Sequence, residues 1–296
     1  MAKSLVWCKI PKAGLGNQLF VIMRAALFST TNKLPIVYTN YNQLKLGPYL
    51  RNEKSKRKYS AFFNFYKNPF FELIDKVKIF GSTLPIVDED NDLLHPNGII
   101  YKFSQIPHWS DYFKDLKNHR HVVIKIFYDL LREDIKREVE GLEMPVIGIH
   151  VRRGDFRDLQ ANENFKDVGA VRTPLQYFKE LIFGIRKLNG FPLPVTIFSD
   201  GYDDELQELL AIENVKRSSN KPDIVDMLLL SRSKIIVASA GSTFSYWAGF
   251  LSNAPIIMHP DHLHASIRDI NDGFYQGYFD ETSNYLVRYI KSLYNE

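Results

Sequence analysis

Between residues 146 and 258, short apolar runs alternate with stretches of helical apolar spacing, and no other feature of the chain restricts its fold as much. The runs cover 146–151, 195–199, 234–239 and 255–258, and the spacing predicts helices over 174–188, 204–211, 223–230 and 243–251. Runs without polar alternation are buried on both faces. In this order they predict a parallel sheet covered by helices. Ligands of such sheets bind beyond the carboxyl ends of the strands, where loops lead into helices. The chemistry is therefore expected in those loops.

The preceding half also reads as α/β, with less regularity. A run at 5–10 leads through Gly14-Leu15-Gly16-Asn17 into a helix over 18–31, followed by strands at 35–38, 77–80 and 99–103 and a closing helix over 122–142. A chain of 296 residues exceeds the usual size of one hydrophobic core. Pro145 marks the expected boundary, giving domains 1–143 and 144–296, with the last helix free to pack back on the first.

The strand ending at Val151 runs into Arg152-Arg153-Gly154-Asp155-Phe156. A guanidinium keeps its charge and offers a planar fork of donors matching phosphate oxygens, so two of them can neutralise a diphosphate without a metal. One arginine could instead pair with Asp155 while the other is solvated; the strand-end position favours an anion site. The run at 234–239 leads into Ala240-Gly241-Ser242-Thr243-Phe244-Ser245, where small hydroxyl residues at a helix start let a phosphate approach the backbone. Ser242 can also cap that helix. At the third strand end, Asp200 either caps a helix or accepts hydrogen bonds from a guanine edge or a ribose. Asn17, at the matching loop of the first half, either binds substrate or caps its helix. That loop lacks the spacing of the common dinucleotide and nucleoside-triphosphate loops.

Other features carry less. The only cysteine, Cys8, lies in an apolar run and reads as a buried strand residue. Asp88-Glu89-Asp90 can hold a divalent ion in principle, but among Asn91 and Asp92 it reads as a solvated acidic loop. His259, His262 and His264 surround Pro260 in a loop without zinc-type spacing. The net charge of +4 favours anionic ligands weakly. Its main concentration, residues 51–58, precedes the aromatics of 59–71; the segment reads as a basic loop with aromatics packed into the first domain, or as a grip on a membrane or nucleic acid. No run approaches the length of a membrane span and the N-terminus lacks a secretory pattern, so a cytoplasmic location is expected.

Gly14-Leu15-Gly16-Asn17-Gln18-Leu19-Phe20, His150 to Phe156, Phe198-Ser199-Asp200 and Ser242-Thr243-Phe244-Ser245-Tyr246-Trp247, in that order, resemble the α-1,2-fucosyltransferases of glycosyltransferase family eleven. The resemblance runs from about residue 5 to residue 260, and its strongest element is shared with α-1,6- and O-fucosyltransferases. It implies a GT-B architecture: two Rossmann-like domains facing across a cleft, GDP-β-L-fucose in the C-terminal one, and an inverting displacement without metal or other cofactor. Arg152 and Arg153 match diphosphate-binding arginines, and His150 and Asp155 match motif positions near the donor. Ser242, Thr243 and Phe244 match the phosphate-side loop, Asp200 a nucleoside contact, and Gly16 and Asn17 the first-domain loop at the reaction centre. Asp155 is the nominee for general base, or else orients an arginine. Ala13, Gly201 and Gly241 stand where the family usually has a glycine, a second acid and an asparagine.

The expected partners are a GDP-sugar and a glycan acceptor, with a lipid-linked acceptor at the inner membrane surface as one version, and no nucleic acid. The rival readings are a transferase of the same fold with another nucleotide sugar, and a non-catalytic membrane- or nucleic-acid-binding module built on residues 51–71.

Overall fold

The computed structural model describes residues 3–40, 50, 59–65, 70–89, 98–218, 221–269, 271 and 273–293. Two compact units divide them: one holds the described residues up to Lys136 apart from Leu50, the other those from Arg137 onward. The division falls inside the helix Glu133–Glu140, whereas the sequence reading sets the boundary at 143/144.

In the first unit β1 (Leu5–Lys9), β2 (Ile36–Thr39), β3 (Ile86–Asp88) and β4 (Ile100–Phe103) form a parallel sheet in the order β2-β1-β4-β3. Helix α1 (Leu15–Asn32) buries Leu19, Phe20, Ile22 and Met23. It starts at Gly14 without a side-chain cap, so Asn17, three residues on, does not cap it.

Two expectations fail in this unit. Residues 77–80 end a helix, α2 (Phe70–Phe80), in which Ile79 is buried while Val77 and Phe80 are exposed. So short an apolar run does not distinguish strand from helix by period. The closing helix is also two: α3 (Arg120–Leu130) and α4 (Glu133–Glu140). Leu131 between them is extended and bridges Phe63, which interrupts the helical hydrogen bonds although the apolar spacing continues.

The second unit contains β5 (Ile147–Val151), α5 (Leu175–Asn189), β6 (Val195–Ser199), α6 (Gln207–Leu210), β7 (Val215–Arg217), α7 (Asp223–Ser231), β8 (Ile235–Val237), α8 (Thr243–Leu251), β9 (Ile256–Ile257), β10 (Gln276–Gly277) and α9 (Asn284–Ser292). All six strands are parallel, in the order β10-β9-β8-β5-β6-β7. Counted from β5 this is 6-5-4-1-2-3, the doubly wound order that places a topological switch point between the first and fourth strands. Ile147, Ile149, Val195, Ile197, Ile235 and Val237 are fully buried, as the unalternating runs predict. The last helix, which the sequence left free to return to the first domain, seats Leu286 and Ile290 in this unit's core. Among the described residues no helix is long and apolar enough to cross a membrane.

Candidate active site

Strands β5 and β8 are neighbours across the switch point, so the loops beginning at Arg152 and Ser239 start side by side. A fully buried hydroxyl joins them: Ser239 Oγ donates to the His150 carbonyl at 2.8 Å and accepts the Arg152 main-chain N–H at 2.8 Å.

Asp200, at the end of β6, orders the first of these loops. One oxygen accepts the Arg153 main-chain N–H at 2.8 Å and the other meets Arg152 Nη1 at 2.5 Å. Arg152 also pairs with Asp155 and lies over the Phe156 ring, its guanidinium carbon 5.5 Å from the centroid. Gly154 serves this arrangement by close approach rather than by an unusual turn: its φ is not in the left-handed region, and a Cβ there would stand 2.2 Å from Asp200 Oδ2. Gly201 has a similar reason, since a Cβ would stand 2.7 Å from Arg153 Cγ. An acid at that position, usual in the family the sequence resembles, has no room beside this arginine. Asp200 thus braces the loop instead of capping a helix.

Arg153 is 7% exposed, its buried Nε has no hydrogen-bond partner, and among the described residues it forms no ion pair. Burial, then repulsion from Arg172, lowers its pKa against the opposing pull of Glu205, Asp158 and Asp200. A guanidinium nevertheless keeps its proton in a protein. A buried cation without a counter-ion is costly unless a ligand supplies the anion.

The second loop lies against His150. The His150 ring is buried, stacks on Phe244 with centroids 4.7 Å apart, and holds Nδ1 2.8 Å from Ser245 Oγ and 3.3 Å from Ser242 Oγ. Burial pushes its pKa down to about 3, with Asp200 raising and Arg152 lowering it, so the imidazole is neutral near pH 7. Ser242 is 4% exposed and makes no side-chain cap to α8. Its hydroxyl faces the histidine, and the first N–H groups of α8 keep the donors that helix starts leave unpaired. Gly241 before it has φ +65°, a backbone state asparagine also tolerates, and donates its N–H to Tyr246 Oη at 3.0 Å. Thr243 begins the helix, and Tyr246 and Trp247 are core residues as read.

The supporting residues escaped the sequence reading. Arg172 reaches Glu205 at 3.1 Å and Asp158 at 3.3 Å and donates Nε to the Phe156 carbonyl. Arg217 pairs with Asp203 and donates to the carbonyls of Ser199 and Gly201, tying down the Asp200 turn. Asp226 in the first turn of α7 accepts the Ser218 hydroxyl at 2.6 Å, and burial raises its pKa to about 6. None belongs to a local pattern. Only their place beyond strand ends could have marked them.

Several sequence candidates belong to segments other than these loops. Gly16 and Asn17 belong to the first unit, in the first turn of α1; Asn17 Oδ1 is buried without a partner among the described residues. Glu89, expected in a solvated loop, is instead buried: its side chain is 1% exposed and meets Arg24 at 3.0 Å, while Asp88 pairs with Lys102 at 2.8 Å. Asp90 lies outside the described residues. His262 approaches the Phe165 carbonyl at 2.6 Å, and His259 packs against Tyr177, centroids 4.5 Å apart. His264 packs against Tyr246, and Cys8 is buried in β1. Tyr59, Phe62 and Phe63 are buried in the first unit, whereas the basic part of that segment, 51–58, lies outside the described residues.

A doubly wound parallel sheet with two arginines and a helix start at its switch point is an arrangement on which nucleotides and phosphates commonly bind. The sequence model of glycosyl transferase family 11 matches residues 85–269, more than half of the chain. The chain belongs to that family and is a glycosyltransferase. Among solved structures, fucosyltransferase NodZ from Bradyrhizobium is similar with a TM-score of 0.53 at 14% identity, over 87% of this chain and 96% of that one. A NodZ alpha-1,6-fucosyltransferase soaked with GDP-fucose is similar with a TM-score of 0.52 at 14% identity, over 92% and 97%. These likenesses show a shared fold. No curated protein matches the sequence.

Proposed function

We propose that the chain transfers L-fucose from GDP-β-L-fucose to a glycan hydroxyl with inversion at the anomeric carbon, the second unit holding the donor. The observation that carries this reading is Arg153: a buried cation that forms no ion pair among the described residues, following Arg152 in a loop that starts beside the loop leading into α8. A nucleoside diphosphate supplies the missing anion. Membership of glycosyl transferase family 11 supports a sugar donor, and the GDP-fucose named for the NodZ structure supports the choice of sugar and base.

Breaking the sugar–phosphate bond places negative charge on the departing diphosphate and positive charge on the sugar ring. Fixed donors aimed at the leaving group then contribute most to the rate. Arg152 and Arg153 are those donors, joined by the N–H groups at the start of α8. Because two guanidinium groups neutralise the leaving group, transfer is expected to proceed in EDTA. His150, neutral and held by Ser245 and Phe244, shapes the floor of the site and adds no charge. The Asp155 carboxylate is engaged by Arg152, which favours orienting the arginine over removing the acceptor proton.

The finer parts of the reading are an α-1,2 linkage to galactose or a similar sugar of a surface polysaccharide, a cytoplasmic location, and a GT-B arrangement with the first unit on the acceptor side. The test is calorimetric titration with GDP and with UDP, in EDTA, of the wild type and of Arg153→Ala. GDP is expected to bind the wild type in preference to UDP and to bind the variant at least 10-fold more weakly, with turnover down about 10²- to 10³-fold. Preference for UDP would overturn the donor, and undiminished binding by the variant would overturn the site.

A further inference from the structure

Three arginines meet in this part of the second unit, and their charges are used differently. Arg152 pairs with Asp155 and Asp200, Arg153 forms no ion pair among the described residues, and Arg172 reaches Glu205 at 3.1 Å and Asp158 at 3.3 Å. The chain leaves the arginine loop at Phe156, makes an excursion and returns at Arg172. Arg157 and Val171 bridge its base, where the Arg172 main-chain N–H donates to the Arg157 carbonyl at 2.9 Å and Arg172 Nε donates to the Phe156 carbonyl at 3.0 Å.

Glu205 is the carboxylate that matters to Arg153. Gly201 lies between them: a Cβ there would stand 2.7 Å from Arg153 Cγ and 2.9 Å from Glu205 Oε2. Just beyond that carbon, Arg153 Nε is buried with no hydrogen-bond partner. The Glu205 side chain is 25% exposed and that of Asp158 80%, so water and salt screen Asp158 far more. A partly buried carboxylate beside a buried guanidinium is its natural counter-ion. Both Glu205 oxygens are instead engaged, Oε1 by Arg172 and Oε2 by the Tyr202 N–H at 2.8 Å.

We propose that Arg172 is a positioning residue for donor binding: it occupies the Glu205 carboxylate, so that Arg153 keeps its guanidinium for the diphosphate. The inference rests on the donor reading above and adds to it the residue that withholds an internal anion from the site. Without the Arg172 charge, Glu205 turns to Arg153, and a diphosphate must displace an anion already in place.

The test is calorimetric titration with GDP or UDP, whichever the wild type takes, of the wild type, Arg153→Ala, Arg172→Gln and Arg172→Lys. Two double variants join them, Arg172→Gln with Glu205→Gln and Arg172→Gln with Asp158→Asn. Glutamine keeps a donor for the Phe156 carbonyl and loses the charge; lysine keeps the charge. Arg172→Gln is expected to weaken binding about 10- to 50-fold and Arg172→Lys by no more than about 3-fold. Adding Glu205→Gln, which retains an acceptor for the Tyr202 N–H, should bring affinity back to within about 3-fold of the wild type. Adding Asp158→Asn should recover little. Wild-type binding by Arg172→Gln overturns the inference. Equal losses in the glutamine and lysine variants overturn it in favour of a structural role, and equal recovery in the two double variants in favour of net charge alone. If Arg172→Gln melts too low to titrate, the double variant with Glu205→Gln decides: binding near the wild-type value supports the inference, and a loss as large as that of Arg153→Ala overturns it. A wild type that takes neither nucleotide, or an Arg153→Ala that binds as the wild type does, sinks the donor reading and the inference with it. Preference for UDP sinks the choice of donor alone, and the Arg172 variants then decide the inference with UDP.

Discussion

The carboxylate of Asp200 accepts the main-chain N–H of Arg153 at 2.8 Å, across 47 residues of sequence. With its other oxygen on Arg152, one acid at the end of β6 orders both arginines of the neighbouring strand's loop. Asp200→Ala is therefore expected to weaken GDP binding about 10- to 100-fold although the residue need not touch the nucleotide, because both arginines lose their anchor. Asp200→Asn keeps an acceptor for the N–H and should recover part of that loss. Calorimetry on the two variants checks this, and equal losses would argue for direct contact between the carboxylate and the nucleotide.

Gly154→Ala should resemble Asp200→Ala, since the added methyl would stand 2.2 Å from Asp200 Oδ2. The expected cost is about 1–3 kcal/mol of stability together with reduced GDP binding. Gly14→Ala is the control. It has φ −63° and open space around a Cβ, so its melting temperature should not fall.

Ser242→Ala should leave the melting temperature nearly unchanged, because the Ser242 side chain does not cap α8. Ser283 does cap α9, accepting the Leu286 N–H at 3.4 Å, and Ser283→Ala should cost about 0.5–1 kcal/mol. Thermal melts of the pair separate a hydroxyl kept for the site from one kept for the helix.

Asp226 gives a pH signature. Its folded-state value of about 6 lies above that of the unfolded chain, so the native protein holds this proton more tightly. Its contribution to stability is fully present below about pH 3.9 and is lost as pH rises through about 6. Asp226→Asn keeps an acceptor for the Ser218 hydroxyl and removes that loss. The variant should melt higher than the wild type at pH 8 and no higher at pH 4. The same gain at both values would show that the carboxyl does not titrate there.

The arginines, Asp200 and the Ser242 loop were legible because they sit where a local signal, the end of an apolar run, puts a strand end. The braces were not. Ser239, Arg172 and Arg217 act through carbonyls and carboxylates brought near by the sheet, and nothing in their own neighbourhoods distinguishes them from surface polar residues. Glu89 misled for the same reason: within an acidic run it reads as solvated, yet Arg24, 65 positions earlier in the chain, takes it into a buried pair.

The sequence alone determined the alternation of strand and helix in the second unit, since periodicity and strand-ending polar residues are properties of neighbours along the chain. It also determined which loops carry charge. Only the tertiary structure decided that β5 lies between β6 and β8. Fully buried parallel strands are apolar on both faces and so carry little record of their partners. Pairing is decided by how helices cover the whole sheet, and that choice brings His150 against Ser242, leaves Arg153 with no ion pair among the described residues, and turns Asp200 from a helix cap into the brace of the site.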